Sequence, residues 1–414
     1  MAQLTTGLIE NTPVSGVRPS TTLVVRIAND DTVSSTVEIS GFFVSGTAKT
    51  QYVLEPITIT PGSVELRSYY AQFDAFEFQF ATSSNAFEIS AWGKAASGNL
   101  TTAHRVLPAE LSTVVPTIPS FANRIYVVNE LSSNVSVIDG NTNTVIATVT
   151  VGLNPAGVGV NSITNQIYVA NSGNDNIMVI DGGTDTVIST ITVGSKPNLV
   201  SVNLATNEIY VTNIKSNNIS VISGFTNTII ATVTVGTSPD GVGVDSLTNG
   251  IYVANFGSND LSVIDGLSKT VITNVTVGTA PTGVNTNPTT NRIYVANFSS
   301  NNVSVIDGNT NTVIATITVG SEPELIGVNP ITNGIYVANF GDNNVSVISG
   351  LNNTVIATVA VGTNPIGVDV NPKTNRIYAA NSSSDNISVI NGLTNTVIAT
   401  VMVGTNPVAV GVNP

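Results

Sequence analysis

The chain has no cysteine, so it can form no disulfide framework, no thiolate nucleophile and no cysteine metal site. Stability must come from burial and backbone pairing. Histidine is limited to His104 and methionine to three residues, too few for the ligands that copper or haem chemistry requires. Charge is also scarce: 9% of residues are charged, and 13 Lys and Arg against 26 Asp and Glu leave a formal net charge of −13. No basic cluster occurs anywhere, and neutralising phosphates takes a basic face, so no nucleic acid partner is expected. No apolar run is long enough to span a bilayer, so the chain is not expected to be membrane-spanning. The opening MAQLTTGLIENTPVSGVRPS lacks a basic start and an apolar run followed by a cleavage site, so it does not read as a secretory signal.

What the chain has is neutral polar and β-branched residues, with 42% of residues hydrophobic. Long helices lack their usual material, and the composition is that of strands and turns. From residue 121 onward one phrase recurs. Its tyrosines fall at Tyr126, Tyr168, Tyr210, Tyr252, Tyr294, Tyr336 and Tyr378, a step of 42 residues each time. A fixed period of this length with several short strands per period is the signature of a propeller built from four-stranded blades.

Four strands fit each repeat. In one copy they are A, ELIGVNP from Glu324; B, GIYVANF from Gly334; C, NVSVIS from Asn344; and D, TVIATVAVG from Thr354. The Asn, Asp, Gly and Pro residues between them accept turn backbone angles. Both faces of each strand carry packable residues, as expected for blades held between neighbours. In strand A an alternate position holds Gly159, Ser201, Gly243, Asn285, Gly327, Asp369 and Gly411. These mostly small residues suit the crowded axis, which makes A the innermost strand. The array begins at a strand B, Asn123 to Asn129, and ends at a lone strand A, Pro407 to Pro414. Pairing the two gives seven complete blades and leaves no free edge at the seam.

The phrase Tyr210-Val211-Thr212-Asn213, with its variants YVVN, YVAN and YAAN, resembles the signature of the YVTN family of β-propeller repeats over residues 121–414. The resemblance implies the propeller fold. It also implies similarity to bacterial and archaeal surface and surface-layer proteins, and more distantly to the propellers of certain redox enzymes.

Ahead of the repeats, the segment LPAELSTVVPTIPSF reads as an extended spacer, so the expected organisation is an arm at 1–20, a domain at 21–107, a linker at 108–122 and the propeller at 123–414. Residues 21–107 alternate over seven or so strands, which suggests a β-sandwich of jelly-roll or immunoglobulin-like kind. Tyr69, Tyr70, Phe73, Phe76, Phe78 and Phe80 concentrate there and read as core. In the arm, TTGLIENTPV with Thr5, Leu8, Ile9 and Val14 could add a strand to a neighbouring copy.

Chemistry has few candidates. Asp139, Asp181, Asp265 and Asp307 alternate with Ser223, Ser349 and Asn391 at the same repeat position, so they read as turn formers. The acidic residues of strand A, Asp240, Glu324 and Asp369, lie on different repeats and would make a cage or an acid–base set only if the fold brought them together. The loops after strands B and D vary most among the repeats and share one face. That face carries Lys196, Ile214, Lys215, Phe256, Phe298, Glu322 and Phe340, with the three Phe forming an aromatic arc.

The expectation is therefore an all-β, non-enzymatic structural or adhesive protein of a cell or spore surface, with no catalytic residue, cofactor or metal. Its sandwich would bind other copies of itself or a surface or fibre protein, and its propeller face a protein or carbohydrate. The alternative is a lactonase-like hydrolase with its site at the mouth of the propeller channel.

Overall fold

The computed structural model describes residues 2–5, 9–10, 22–29, 34–45, 48–70, 75–82, 87–94, 100–105 and 123–414. The chain divides into two compact units, Met1–Ile118 and Pro119–Pro414. The expected linker 108–122, together with Leu8, Val14 and Phe73, lies outside the described residues.

Two sheets build the first unit. In one, Ala75–Thr82 pairs with Ser35–Ser45, which pairs with Ala48–Ile59; in the other the order is Val64–Tyr70, Thr22–Asn29, Phe87–Lys94, Leu100–Arg105. Val25 and Ile27 from one sheet meet Val37, Ile39, Phe78 and Phe80 from the other in a shared core. Tyr69 joins it, its ring centroid 5.0 Å from that of Phe78. The arm segments Ala2–Thr5, which ends at Thr5, and Ile9–Glu10, which begins at Ile9, both pair with Ala75–Thr82 of the same chain. They extend this chain's own sheet.

The second unit repeats a four-stranded antiparallel sheet. Strands Pro155–Asn161, Gln166–Asn171, Asn176–Asp181 and Thr186–Thr192 are the A, B, C and D of one copy, hydrogen-bonded in that order. Seven such sheets occur in 123–414, and the first is assembled from both ends of the unit: Arg124–Asn129 pairs with Pro407–Asn413, Arg124 opposite Asn413 and Val127 opposite Val410. The unit is a propeller-like all-β fold.

Burial follows strand order. Strands B and C are buried at nearly every residue, whereas D alternates and is mostly exposed, as in Thr144–Thr150. Each core cluster draws on two successive sheets: Tyr168, Ile177 and Val179 of one pack on Ile209, Val211 and Ile222 of the next. Tyr378, Ile387 and Val389 of the last pack likewise on Ile125, Val127 and Ile138 of the first. Each such side chain contributes on the order of 1.5–3 kcal/mol relative to exposure. The small residues of strand A are sterically required, since a Cβ on Gly159 would come within 2.7 Å of Val200 Cγ1 on the next A strand.

The Asn that closes each phrase is a structural device. Asn255 is buried and donates from Nδ2 to Asp260 Oδ1 at 2.7 Å and to Ser262 Oγ at 2.9 Å, tying strand B to strand C. The C–D turns are built as the sequence suggests. Asp181 Oδ1 accepts the Gly183 amide at 2.7 Å, and Asn391 Oδ1 accepts the Leu393 amide at 2.8 Å. Among the described residues no helix is long and apolar enough to cross a membrane.

Candidate active site at the mouth of the central cavity

Every A strand opens on a buried proline, and the residue after it occupies the same place in each copy: Ala156, Asn198, Asp240, Thr282, Glu324, Ile366 and Val408. Six of these side chains line one cavity of about 200 Å³, joined by Leu199, Leu325 and Glu130. Thr282 is turned into the protein, its hydroxyl donating to Pro323 O at 3.1 Å. The sequence left Asp240, Glu324 and Asp369 scattered; the fold brings the first two to this cavity. The signal was present in the numbering, since Asp240 and Glu324 hold one repeat position and Asp369 lies three residues further along its strand.

Asp369 lines a second cavity of about 230 Å³, further along the A strands, with Ser201, Asn285, Gly159, Gly243 and Gly411. Its Oδ1 accepts the Val370 amide at 2.8 Å and its Oδ2 the Val412 amide at 2.9 Å. Burial pushes this carboxyl up to about 6 against those two donors. Among the described residues no group of three or more His, Cys, Asp or Glu is placed to hold a metal ion. The three acids are not one cage.

The electrostatics of the mouth separate its two carboxyls. Burial raises Asp240 to about 6, with the positive charge of Lys196 acting in the opposite sense. Burial raises Glu324 further, to about 8, and the negative charges of Asp240 and Glu322 add to the effect. Between those values Asp240 is a carboxylate and Glu324 a neutral acid. Asn198 Nδ2 donates to Asp240 Oδ1 and orients it. Glu130 is fixed by Asn406, whose Nδ2 donates to Glu130 Oε2 at 2.8 Å.

The loop residues expected to form a contact face do not line this cavity; backbone hydrogen bonds join them to the turns that lead into the A strands. The Ile214 amide donates to Lys196 O, the Phe256 amide to Ser238 O, the Phe298 amide to Ala280 O and the Phe340 amide to Glu322 O, each at 3.0 Å, so B–C loops rest on D–A turns. The Lys215 amide donates to Ser195 O at 3.2 Å. Phe256, Phe298 and Phe340 belong to the same three sheets as Asp240, Thr282 and Glu324, and Phe256 is 42% exposed. Lys196 and Glu322 adopt left-handed backbone, with φ of 56° and 52°, where three of the equivalent turns use Asn154, Asn364 and Asn406. Ser238 and Ala280 hold the remaining two, so the turn imposes the left-handed backbone on residues of several kinds.

No family model matches the chain, and no curated protein matches it. Solved structures do. The hydrazine synthase of Kuenenia stuttgartiensis is similar at 20% identity over 65% of this chain and 92% of that one, with a TM-score of 0.59. A functionally unknown protein from Desulfotomaculum acetoxidans DSM 771 is similar at 14% identity over 70% of this chain and 98% of that one, TM-score 0.62. The dihydro-heme d1 dehydrogenase NirN, in complex with DHE, gives 14% identity over 70% and 66% with a TM-score of 0.52.

These likenesses show the fold, a propeller-like all-β architecture. They also correct the functional expectation. Two of the three similar proteins are named as enzymes, so the reading of the chain as a non-enzymatic structural or adhesive surface protein does not stand. That reading arose because the acidic residues of strand A lie on different repeats, and nothing in their spacing shows which of them meet. The pair of carboxyls that could react emerges only when two repeats, 84 residues apart in sequence, converge at one mouth.

Proposed function

We propose that the chain is an enzyme whose mouth cavity performs general acid–base hydrolysis of an ester or lactone. The supporting architecture is a seven-bladed propeller over 123–414, closed by Pro407–Asn413 in the first blade, with a β-sandwich at 21–107. The observation that carries the proposal is the presence, in one cavity, of two carboxyls whose environments drive their proton affinities apart.

The steps follow from that separation. Asp240, held by Asn198, takes a proton from a water molecule, and the hydroxide adds to the substrate carbonyl carbon. The carbon–oxygen bond to the leaving group then breaks, and Glu324 gives its proton to the departing oxygen. The products are a carboxylic acid and an alcohol, joined in one molecule when the substrate is a lactone. Solvent exchange returns the proton from Asp240 and restores that on Glu324. Positioned proton transfer of this kind supplies roughly 10²–10⁴-fold.

The test is hydrolysis of p-nitrophenyl acetate and of a small lactone by the full chain, compared with Asp240→Asn and Glu324→Gln. We expect each substitution to lower kcat/KM by at least about 10²-fold while the fold persists. Rates unchanged in both variants, or absent in the unaltered chain, refute the proposal.

A further inference from the structure

The position after the A-strand proline is the place in that strand where all seven copies differ. Its neighbours do not: the first position is always Pro, the fourth is Val or Ile, and the seventh is Asn except at Asp245. The variation is ordered. Asn198, Asp240, Thr282 and Glu324 come from four successive sheets, while Ile366, Val408 and Ala156 come from the next three, because Pro407–Asn413 belongs to the sheet that precedes Pro155–Asn161.

The cavity therefore has two unlike walls. In sheet order one side carries Asn198, Asp240 and Glu324; the other carries Ile366, Val408 and Ala156, with Glu130 of the sheet that holds Val408 beside them and Leu199 and Leu325 completing the lining. The side chains of Ile366, Val408 and Ala156 offer no partner to a polar group and gain by covering apolar surface. The acidic wall disfavours an anion brought into the same space.

We infer that the substrate is a neutral ester or lactone bearing an aliphatic chain, bound with that chain on Ile366, Val408 and Ala156 and its reacting carbonyl toward Asp240 and Glu324. The inference rests on the acid–base reading of the mouth and adds the substrate class to it.

Two measurements on the full chain test it. The first is kcat/KM for p-nitrophenyl acetate, butyrate and hexanoate, expected to rise about tenfold for each added pair of methylenes. Ile366→Asn is expected to lower the hexanoate-to-acetate ratio at least fivefold, and a flat series in the unaltered chain overturns the inference. The second uses hexanamide as a probe, followed by the methyl NMR signals of Ile366, Val408 and Leu199. Saturable shifts there, absent with acetamide at equal concentration, support the aliphatic wall even if no ester is turned over, an outcome that removes the acid–base reading alone. Ester turnover with no hexanamide shift at those methyls overturns the wall and leaves the chemistry standing.

Discussion

Asp245 and Asn291 occupy the one place in a series of seven sheet-to-sheet bridges where no bond forms, leaving Asp245 Oδ2 and Asn291 Oδ1 buried without partners. At the six equivalent places an Asn ending strand A donates from Nδ2 to an Asn of the next sheet: Asn161 to Asn207 at 2.6 Å, Asn203 to Asn249 at 2.7 Å, and Asn287 to Asn333 at 2.8 Å. Asn329 to Asn375 at 2.8 Å, Asn371 to Asn123 at 2.9 Å and Asn413 to Asn165 at 2.8 Å complete the set, the last two bridging the ends of the unit. A carboxylate has no proton to donate, so exchange of one amide for one oxygen breaks the bridge.

Asp245→Asn should restore the seventh bridge. The substitution keeps the local turn, because Oδ1 already accepts the Leu247 amide at 2.8 Å as the Asn residues do in other copies. One recovered hydrogen bond and one relieved buried acceptor amount to about 1–3 kcal/mol. In thermal or urea unfolding the variant is expected to be more stable by that order, about 2–4 °C in Tm for each kcal/mol. An equal or lower midpoint would show that the bridges do not stabilise the unit.

Much of this fold was legible in the sequence because the repeat states it many times. The 42-residue step of the tyrosines, the turn residues and the small residues at Gly159 and Gly243 all act locally or through near-identical neighbours. The site was harder to see. Asp240 and Glu324 gain meaning only from convergence across two repeats, and the Asp245 defect only from a partner 46 residues away whose side-chain oxygen needs a donor. In the arm, Thr5 and Ile9 fall in two short strands, Ala2–Thr5 and Ile9–Glu10, that pair with Ala75–Thr82 of the same chain, a pairing that short-range pattern cannot express.

The pH dependence of hydrolysis should be bell-shaped. Activity requires Asp240 deprotonated, giving an acid limb near 6, and Glu324 protonated, giving a basic limb near 8. Lys196→Asn removes the charge that holds Asp240 down, so the acid limb should move upward; it also relieves a left-handed Lys, worth on the order of 1 kcal/mol. Glu322→Gln removes a charge that raises Glu324, so the basic limb should move downward. Limbs that stay fixed in both variants would detach the pair from the reaction.

Glu324→Gln should stabilise the chain at high pH and not at low pH. The folded-state value of Glu324 lies above its ordinary 4.5, so protonation favours folding; the stability it confers is fully present below about 4.5 and is lost as pH rises toward about 8. Gln mimics the neutral acid at every pH. The Tm difference between variant and unaltered chain should therefore open between pH 4.5 and 8, while activity falls, which is the trade expected of a site kept for chemistry. A difference independent of pH would mean that the carboxyl is not desolvated in the folded chain.

Removing Pro407–Asn413 tests the seam. This strand pairs along Arg124–Asn129 and places Ala409, Val410 and Val412 in the interior, where Ala409 joins the cluster of Tyr126 and Val158, and Val410 and Val412 join that of Ile125 and Tyr378. Its loss uncovers the hydrogen-bonding edge of Arg124–Asn129 and leaves the apolar faces of two sheets without cover. Asn413 also supplies one of the six inter-sheet bridges, to Asn165, and Val408 forms part of the aliphatic wall of the mouth. We expect a loss exceeding about 4 kcal/mol, read as insolubility or a collapse of the unfolding midpoint. Val410→Asp, which keeps the backbone pairing and buries an unpaired charge, should fall in the same direction by a smaller amount. If both variants melt like the unaltered chain, the strand does not close the first sheet, and the array of sheets is open at that end.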